Sequence, residues 1–270
     1  MRGGQMNTIG DILNAKEIKL DKCKKCGKEY RIHEQIIFKG TERERVFRVQ
    51  VPTCNCEELE REREKAAKEA ARNKELLAKK FENSLMTPYF KQKTFNNLFE
   101  NAAKFGNEKE LRQLQKYAQD FNKEDHKGIF LIGKPGTGKT TMLAAVCNDL
   151  LGRGYNCLFI TMSALMEKFT KYSFDNNGDI LGLLMWLVKF DFIVIDDIGR
   201  ENYTDRRKEI AFRIVDTILN YQVTAAFTAN PESIAMLSKI DEWGAVLDRL
   251  KDICAMQIKF NGESLRGRAW

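Results

Sequence analysis

The sequence predicts an α/β fold, a five-stranded parallel sheet covered by helices, with a small cysteine-bracketed module and a charged linker helix ahead of it. Three observations predict it. Residues 133–140 read Gly-Lys-Pro-Gly-Thr-Gly-Lys-Thr, which fits the phosphate-loop pattern G-x-x-x-x-G-K-[ST] at every fixed position. Five apolar runs of strand length alternate with helical segments: Ile129–Ile132, Cys157–Thr161, Phe190–Ile195, Val223–Thr228 and Ile253–Phe260. The third run ends in adjacent carboxylates, Asp196 and Asp197. Strands alternating with helices imply a parallel sheet covered on both faces, with the site in the loops at the strand C-termini.

The elements follow in order along the chain. Residues 1–20 form a lead-in with weak helical periodicity. Residues 21–56 are bracketed by cysteine pairs and include a strand-like stretch, Arg45–Val51, so residues 1–56 are expected to form an N-terminal module. Residues 57–82 are dense in Glu, Lys, Arg and Ala, without Gly or Pro, which predicts a long exposed helix. It is read as a spacer, placing a linker at 57–84 and a second domain at 85–270. From Leu85 onward Phe and apolar runs become frequent; Phe95, Leu98 and Phe99 precede a helix-like stretch from Glu108 to Phe121. Gly128–Ile132 suits a buried strand, and Thr140–Leu151 a helix stopped by Gly152 and Gly154.

A chain of 270 residues has room for one full α/β domain and a smaller module. Its formal net charge of +7 favours polyanion partners mildly, although a solvated basic surface explains it equally well. No apolar run approaches the roughly 18 residues of a membrane span; the greasiest, Ile180–Val188, stops at Lys189. The N-terminus lacks the layout of a signal peptide, so a cytoplasmic location with reduced thiols is expected.

The glycine-rich loop predicts an ATP site. Its backbone N–H groups point inward at phosphate oxygens, and Gly133, Pro135, Gly136, Thr137, Gly138, Lys139, Thr140 and Thr141 are the expected nucleotide-binding residues. Lys139 reaches the β- and γ-phosphates, and the Thr140 hydroxyl ligates Mg²⁺. Asp196 is the second expected Mg²⁺ residue, and Asp197 sits where a general base or water-orienting group is needed. Adjacent acids also occur as plain strand-end solvation, but beside a phosphate loop the catalytic reading is favoured. The fourth run ends Thr228-Ala-Asn230-Pro231. Asn-Pro alone is a turn signal; at this strand tip Asn230 is read as a partner of the γ-phosphate or the attacking water. Arg249 and Arg266 are candidates for stabilising γ-phosphoryl charge, with surface arginines as the alternative that spacing does not exclude.

Cys23-Lys-Lys-Cys26-Gly27 is a zinc-knuckle signature, and Cys54-Asn-Cys56 supplies a second, tighter pair. Four thiolates make a closed structural zinc site, against a disulfide or free thiols. His33 is a substitute ligand or a surface residue, while Cys147, Cys157 and Cys254 are expected to pack in the core. Between the loop and Asp196, Lys168 and Lys171 lie beside Phe169, Tyr172 and Phe174. They suit single-stranded DNA by charge and stacking, but helical spacing equally makes the aromatics core. Arg206-Arg-Lys208 is read as solvated surface.

The ordered set Thr94-Phe-Asn-Asn97, Tyr117–Phe121, Gly128–Thr140, Ile160–Leu165, Ile195-Asp-Asp-Ile-Gly199, Thr228-Ala-Asn230, Leu247-Asp-Arg-Leu250 and Ser264-Leu-Arg266 resembles the DnaC/DnaI-type helicase loaders. These are a branch of the AAA+ ATPases that also includes the transposition ATPase IstB. The resemblance runs from Thr94 to Arg266 and implies an AAA+ domain with a truncated lid. By position it implies sensor 1 at Asn230, an arginine finger acting in trans at Arg249 and sensor 2 at Arg266. It raises the DNA reading of Lys168, Phe169, Lys171 and Tyr172, whose helix faces a central channel in the loaders. Loaders of the DnaI type also carry a similar zinc module that docks the replicative helicase. Two features depart from the family: Thr-Ala-Asn replaces Thr-Ser-Asn, and Ile218-Leu-Asn-Tyr221 stands where a second trans arginine is usual. Asp197 in place of the longer Glu suggests slow hydrolysis, which single-stranded DNA is expected to stimulate. The resemblance thus implies ATP, Mg²⁺ and Zn²⁺ as cofactors. Its implied partners are a hexameric replicative helicase, single-stranded DNA and further copies of the chain in a ring or spiral, with no membrane. The competing readings are an IstB-like transposition ATPase and a nucleotide-binding adaptor without significant hydrolysis.

Overall fold

The computed structural model describes residues 16–37, 42, 45–51, 54–199, 204–237, 241–262 and 264. The chain divides into two compact units, Met1–Asn73 and Lys74–Trp270. The division falls inside a single helix, α1 (Cys56–Asn83), rather than at either end of the expected linker.

In the first unit, β1 (Lys16–Lys22), β2 (Glu29–Ile37) and β3 (Arg45–Val51) form an antiparallel sheet in the order β1-β2-β3. β3 has the bounds expected from the sequence. Residues 16–20, expected to follow a helical period, instead pair with β2, Lys16 opposite Glu34 and Leu20 opposite Arg31. Short runs of Lys, Glu and Ile carry little intrinsic preference, so cross-strand pairing decides their state. α1 buries none of its residues, as its composition requires, and carries ion pairs at helical spacing such as Glu75–Lys79 at 2.8 Å. Each such pair contributes only about 0.2–0.5 kcal/mol. Phe81, in the part of α1 that belongs to the second unit, packs against that unit's core.

The second unit is built on β4 (Ile129–Gly133), β5 (Cys157–Thr161), β6 (Phe192–Ile198), β7 (Thr224–Ala229) and β8 (Met256–Phe260), all parallel, in the order β5-β6-β7-β4-β8. β5 matches its expected bounds. β8 begins later than expected because Ile253 closes the preceding helix. Strand side chains alternate between two cores. Ile129, Leu131, Phe192 and Val194 face one, with α2 (Pro88–Lys91), α3 (Phe95–Phe105), α4 (Glu108–Gln119) and α5 (Lys139–Gly152). Phe130, Ile193, Ile195 and Phe227 face the other, with α6 (Met162–Asp175), α7 (Leu181–Leu187), α8 (Asp205–Asn220) and α10 (Asp241–Ile253). The short α9 (Pro231–Leu237) links β7 to α10. Both faces of a parallel sheet are thereby shielded from water. Cys147 and Cys157 are buried in the core, as expected.

The order of the strands positions the site. β4 lies between β7 and β8, and β7 lies between β4 and β6, so the tips of β4, β6 and β7 converge at one edge of the sheet. Phe227, fully buried at the centre of β7, meets Phe130 edge-on at 6.5 Å between ring centroids. Phe227→Ala is expected to cost about 3–5 kcal/mol in urea unfolding; a loss below about 1 kcal/mol would place the ring outside the packed core.

Candidate functional site: a phosphate loop facing two strand-end carboxylates

The loop after β4 turns back on itself through Gly136 and Gly138, whose φ angles of 84° and 90° lie in the region that favours glycine. Gly138 then opens α5, so the N-terminal N–H groups of a fourteen-residue helix face the loop. Thr137 Oγ1 donates to the Lys134 carbonyl at 2.9 Å and braces the turn. The buried Asn107, between α3 and α4, donates from Nδ2 to the Thr137 carbonyl at 3.1 Å. Sequence reading missed Asn107, whose only local signal is its place between Gly106 and the start of α4.

Lys139 is buried, and its ammonium donates to the carbonyls of Gly133 at 2.7 Å and Lys134 at 2.9 Å, and to Asn230 Oδ1 at 3.2 Å. These acceptors match the three donors of an ammonium, which is how a buried cation is tolerated here. Asn230 donates in turn from Nδ2 to Asp197 Oδ1 at 3.3 Å. Lys139, Asn230 and Asp197, expected separately from three strand tips, therefore form one chain of contacts.

Asp196 is 6% exposed. Thr140 Oγ1 lies 2.9 Å from its Oδ1 and 3.1 Å from its Oδ2, and Thr228 Oγ1 donates to Oδ1 at 2.7 Å. Burial raises the Asp196 carboxyl above the ordinary range, and the hydroxyls of Thr228 and Thr140 pull it part of the way back. A hydroxyl and a carboxylate at this spacing are hard oxygen donors suited to Mg²⁺. Thr140 and Asp196 are the residues that would hold it, and there the ion would supply positive charge against phosphate oxygens. Thr228 stood only in the quoted motif and was not among the expected site residues.

Four sulfurs meet in the N-terminal unit. Cys23, Cys26, Cys54 and Cys56 have Sγ atoms within 4.8 Å of one another. Thiolates on a tetrahedron about 2.3 Å from a zinc ion stand roughly 3.8 Å apart, so the cluster fits a closed site. Gly27, at φ 73°, lets the knuckle turn, and its N–H donates to the Cys23 carbonyl at 2.8 Å. The backbone N–H groups of Cys26 and Lys25 lower the Cys23 thiol to about 6. Hydrogen bonds to the Cys26 and Cys54 sulfurs, with burial and their charge behind them, push the Cys56 thiol up to about 12.

The remaining expected residues divide. Phe169 is fully buried, so its expected stacking on DNA is corrected: it shares the sheet-facing side of α6 with Leu165, Met166 and Ser173. Tyr172 is half-buried against the same core, while Lys168 and Lys171 are exposed, the Lys168 ammonium 5.1 Å from the Trp186 ring centroid. Phe174 is 88% exposed and is the aromatic that remains open to solvent on this helix. Arg206 is no freely solvated cation; it donates to Ser173 Oγ at 2.7 Å and to the Gly178 carbonyl at 3.0 Å. Arg249 is held by α8 and by its own helix, α10. Its Nε donates to Asp216 Oδ1 at 2.8 Å, Nη1 to the Ala245 carbonyl at 3.3 Å, and its guanidinium sits 4.2 Å from the Phe212 ring centroid. Arg266 lies outside the described residues.

Residues 59–269 match the family of IstB-like ATP-binding proteins. The chain belongs to that family. Among curated relatives it is 33% identical over 159 residues to the replicative helicase loader DnaC of Escherichia coli K12, covering 58% of this chain and 63% of that protein. It is 31% identical over 163 residues to DnaC of Buchnera aphidicola from Acyrthosiphon pisum, covering 60% and 65% respectively. The chain thus spans less than two thirds of these relatives. A crystal structure of DnaI superposes with a TM-score of 0.54 at 19% identity, covering 67% of this chain and 95% of that one. AMPPCP-bound DnaA from Aquifex aeolicus gives 0.51 at 18% identity, covering 65% and 51%. These structural likenesses show a shared fold. In this IstB-like chain, Lys139→Ala is expected to lower ATP hydrolysis by about 10²-fold or more. A steady-state phosphate-release assay checks it, and hydrolysis at the unaltered rate would remove Lys139 from the site.

Proposed function

We propose that this chain is an ATP-dependent loader that places a hexameric replicative helicase on single-stranded DNA. The observation that carries the reading is the contact chain from Lys139 through Asn230 to Asp197, with Asp196 held beside Thr140. Its geometry suits an ammonium that binds phosphate, a cation site and a carboxylate that orients water. Similarity to the DnaC loaders over 159 and 163 residues supports the helicase as partner.

ATP binds the loop with Lys139 exchanging carbonyl acceptors for phosphate oxygens. Asp197, steadied by Asn230, orients the attacking water. Arg249, presented by Asp216 and Phe212 at the surface of α10, completes the site of a neighbouring copy in a ring or spiral. Lys168, Lys171 and Phe174 grip the strand by charge and stacking. The four-cysteine module holds zinc and docks the helicase, and hydrolysis, slow with an Asp at 197 and stimulated by single-stranded DNA, times its release in the cytoplasm. No helix among the described residues is long and apolar enough to cross a membrane. A transposition ATPase is the second reading, suggested by the family match itself. It predicts preference for duplex DNA and capture of a transposase rather than a helicase.

The test of the reading is transfer of purified helicase onto a single-stranded circle, scored by unwinding. ATP-dependent stimulation by this chain is expected, and equal unwinding without it overturns loading. Arg249→Ala and Asp197→Asn, each about 10³-fold impaired alone, are expected to recover hydrolysis when mixed, since each subunit then supplies what its neighbour lacks. No recovery on mixing removes the trans role of Arg249. Metal analysis is expected to find about one zinc per chain, lost in Cys23→Ser.

A further inference from the structure

We propose that Thr228 is a positioning residue of the ATP site, one hydroxyl that presents both strand-end carboxylates. It touches neither nucleotide nor a reacting atom and acts through Asp196 and Asp197. The inference rests on ATP hydrolysis at this site and not on helicase loading.

The sheet itself creates the need for such a residue. β6 and β7 pair regularly from Phe192 opposite Thr224 to Ile195 opposite Phe227, and the register then shifts so that Ile198 stands opposite Ala229. Asp196 and Asp197 therefore face the single residue Thr228. That is a β-bulge, the device that re-aims side chains beside active sites. The extra residue leaves the ladder. Asp197 has a φ of 60°, and its N–H donates to Thr228 Oγ1 at 2.8 Å.

The same oxygen is 2.7 Å from Asp196 Oδ1, and Thr228 is 1% exposed. A carboxylate only accepts and a backbone N–H only donates, so both directions are fixed. The hydroxyl gives its one proton to Asp196 and takes the Asp197 N–H on a lone pair. Asp197 is thus held from its backbone by Thr228 and from its carboxylate by Asn230, at 3.3 Å. Asp196 is held between Thr228 and Thr140. A valine has the same shape without donor or acceptor, and a serine keeps both.

The test uses the full chain as wild type, Thr228→Val and Thr228→Ser. It reads kcat and KM for ATP, and separately the affinity for a fluorescent ATP analogue with and without Mg²⁺. Thr228→Val is expected to lose about 10-fold or more in kcat. Its KM and its Mg²⁺-free affinity stay within about twofold, while the gain in affinity on adding Mg²⁺ shrinks. Thr228→Ser is expected to stay within about twofold of wild type on every reading. A valine variant with wild-type kcat and wild-type Mg²⁺ gain overturns the proposal. So does a serine variant as impaired as the valine one, because the methyl group and not the hydroxyl would then matter. If Thr228→Val fails to bind the Mg²⁺-free analogue, Thr228→Ala replaces it under the same criteria. A wild-type chain that hydrolyses nothing sinks the ATPase reading instead, and the Mg²⁺ gain in binding then decides on Thr228 by itself.

Discussion

A carboxylate buried at the tip of a central strand is the constraint around which the ATPase unit is organised. Asp196 is removed from water by its neighbours on β5 and β7, and an ion so placed is costly unless it is hydrogen-bonded or paired. The Thr140 and Thr228 hydroxyls answer part of that cost, and Lys139 lies near enough to favour the charged form. The buried ammonium has the converse problem, met by two loop carbonyls and Asn230. The two loop carbonyls on Lys139 and the Thr140 hydroxyl on Asp196 are the partners that ATP and Mg²⁺ would replace, while Thr228 stays on Asp196. Lys139 and Thr140 thus carry donors that phosphate oxygens and a cation could engage.

Topology makes this centre possible. Lys139 follows β4, Asp196 ends β6 and Asn230 follows β7, and the order β5-β6-β7-β4-β8 sets those three strands side by side. Long stretches of chain separate the partners, yet parallel strands deliver their C-terminal ends to one edge. Gly128 marks how tightly the sheet packs at the opposite end of β4. A Cβ there would lie 2.4 Å from the Ala225 carbonyl oxygen.

Much of this was legible in the sequence because it rests on local period and motif. Cys157–Thr161 is continuous apolar chain bounded by helix signals, and its strand has those bounds. That Lys139, Asp196 and Asn230 come together was legible because the loop pattern and two polar strand ends mark neighbouring strand tips. Phe169 was misplaced because a composition of Lys and aromatics does not say which side of a helix faces the sheet; positions 162, 165, 166, 169 and 173 do. Thr228 and Asn107 were not legible as site residues. The first matters through a bulge and the second through a carbonyl thirty residues away, and neither leaves a local signature. The strand at Lys16–Lys22 was hidden because alternating charged and apolar residues fit a strand only once β2 is beside it.

The most direct measurement is a crystal structure of the chain with a non-hydrolysable ATP analogue and Mg²⁺. Lys139 Nζ is expected to leave the Gly133 and Lys134 carbonyls for the phosphates. Thr140 Oγ1 is expected to turn from Asp196 to the ion, with Asn230 still on Asp197. A nucleotide bound away from the 133–140 loop, or one bound there with Lys139 still on both carbonyls, would contradict this.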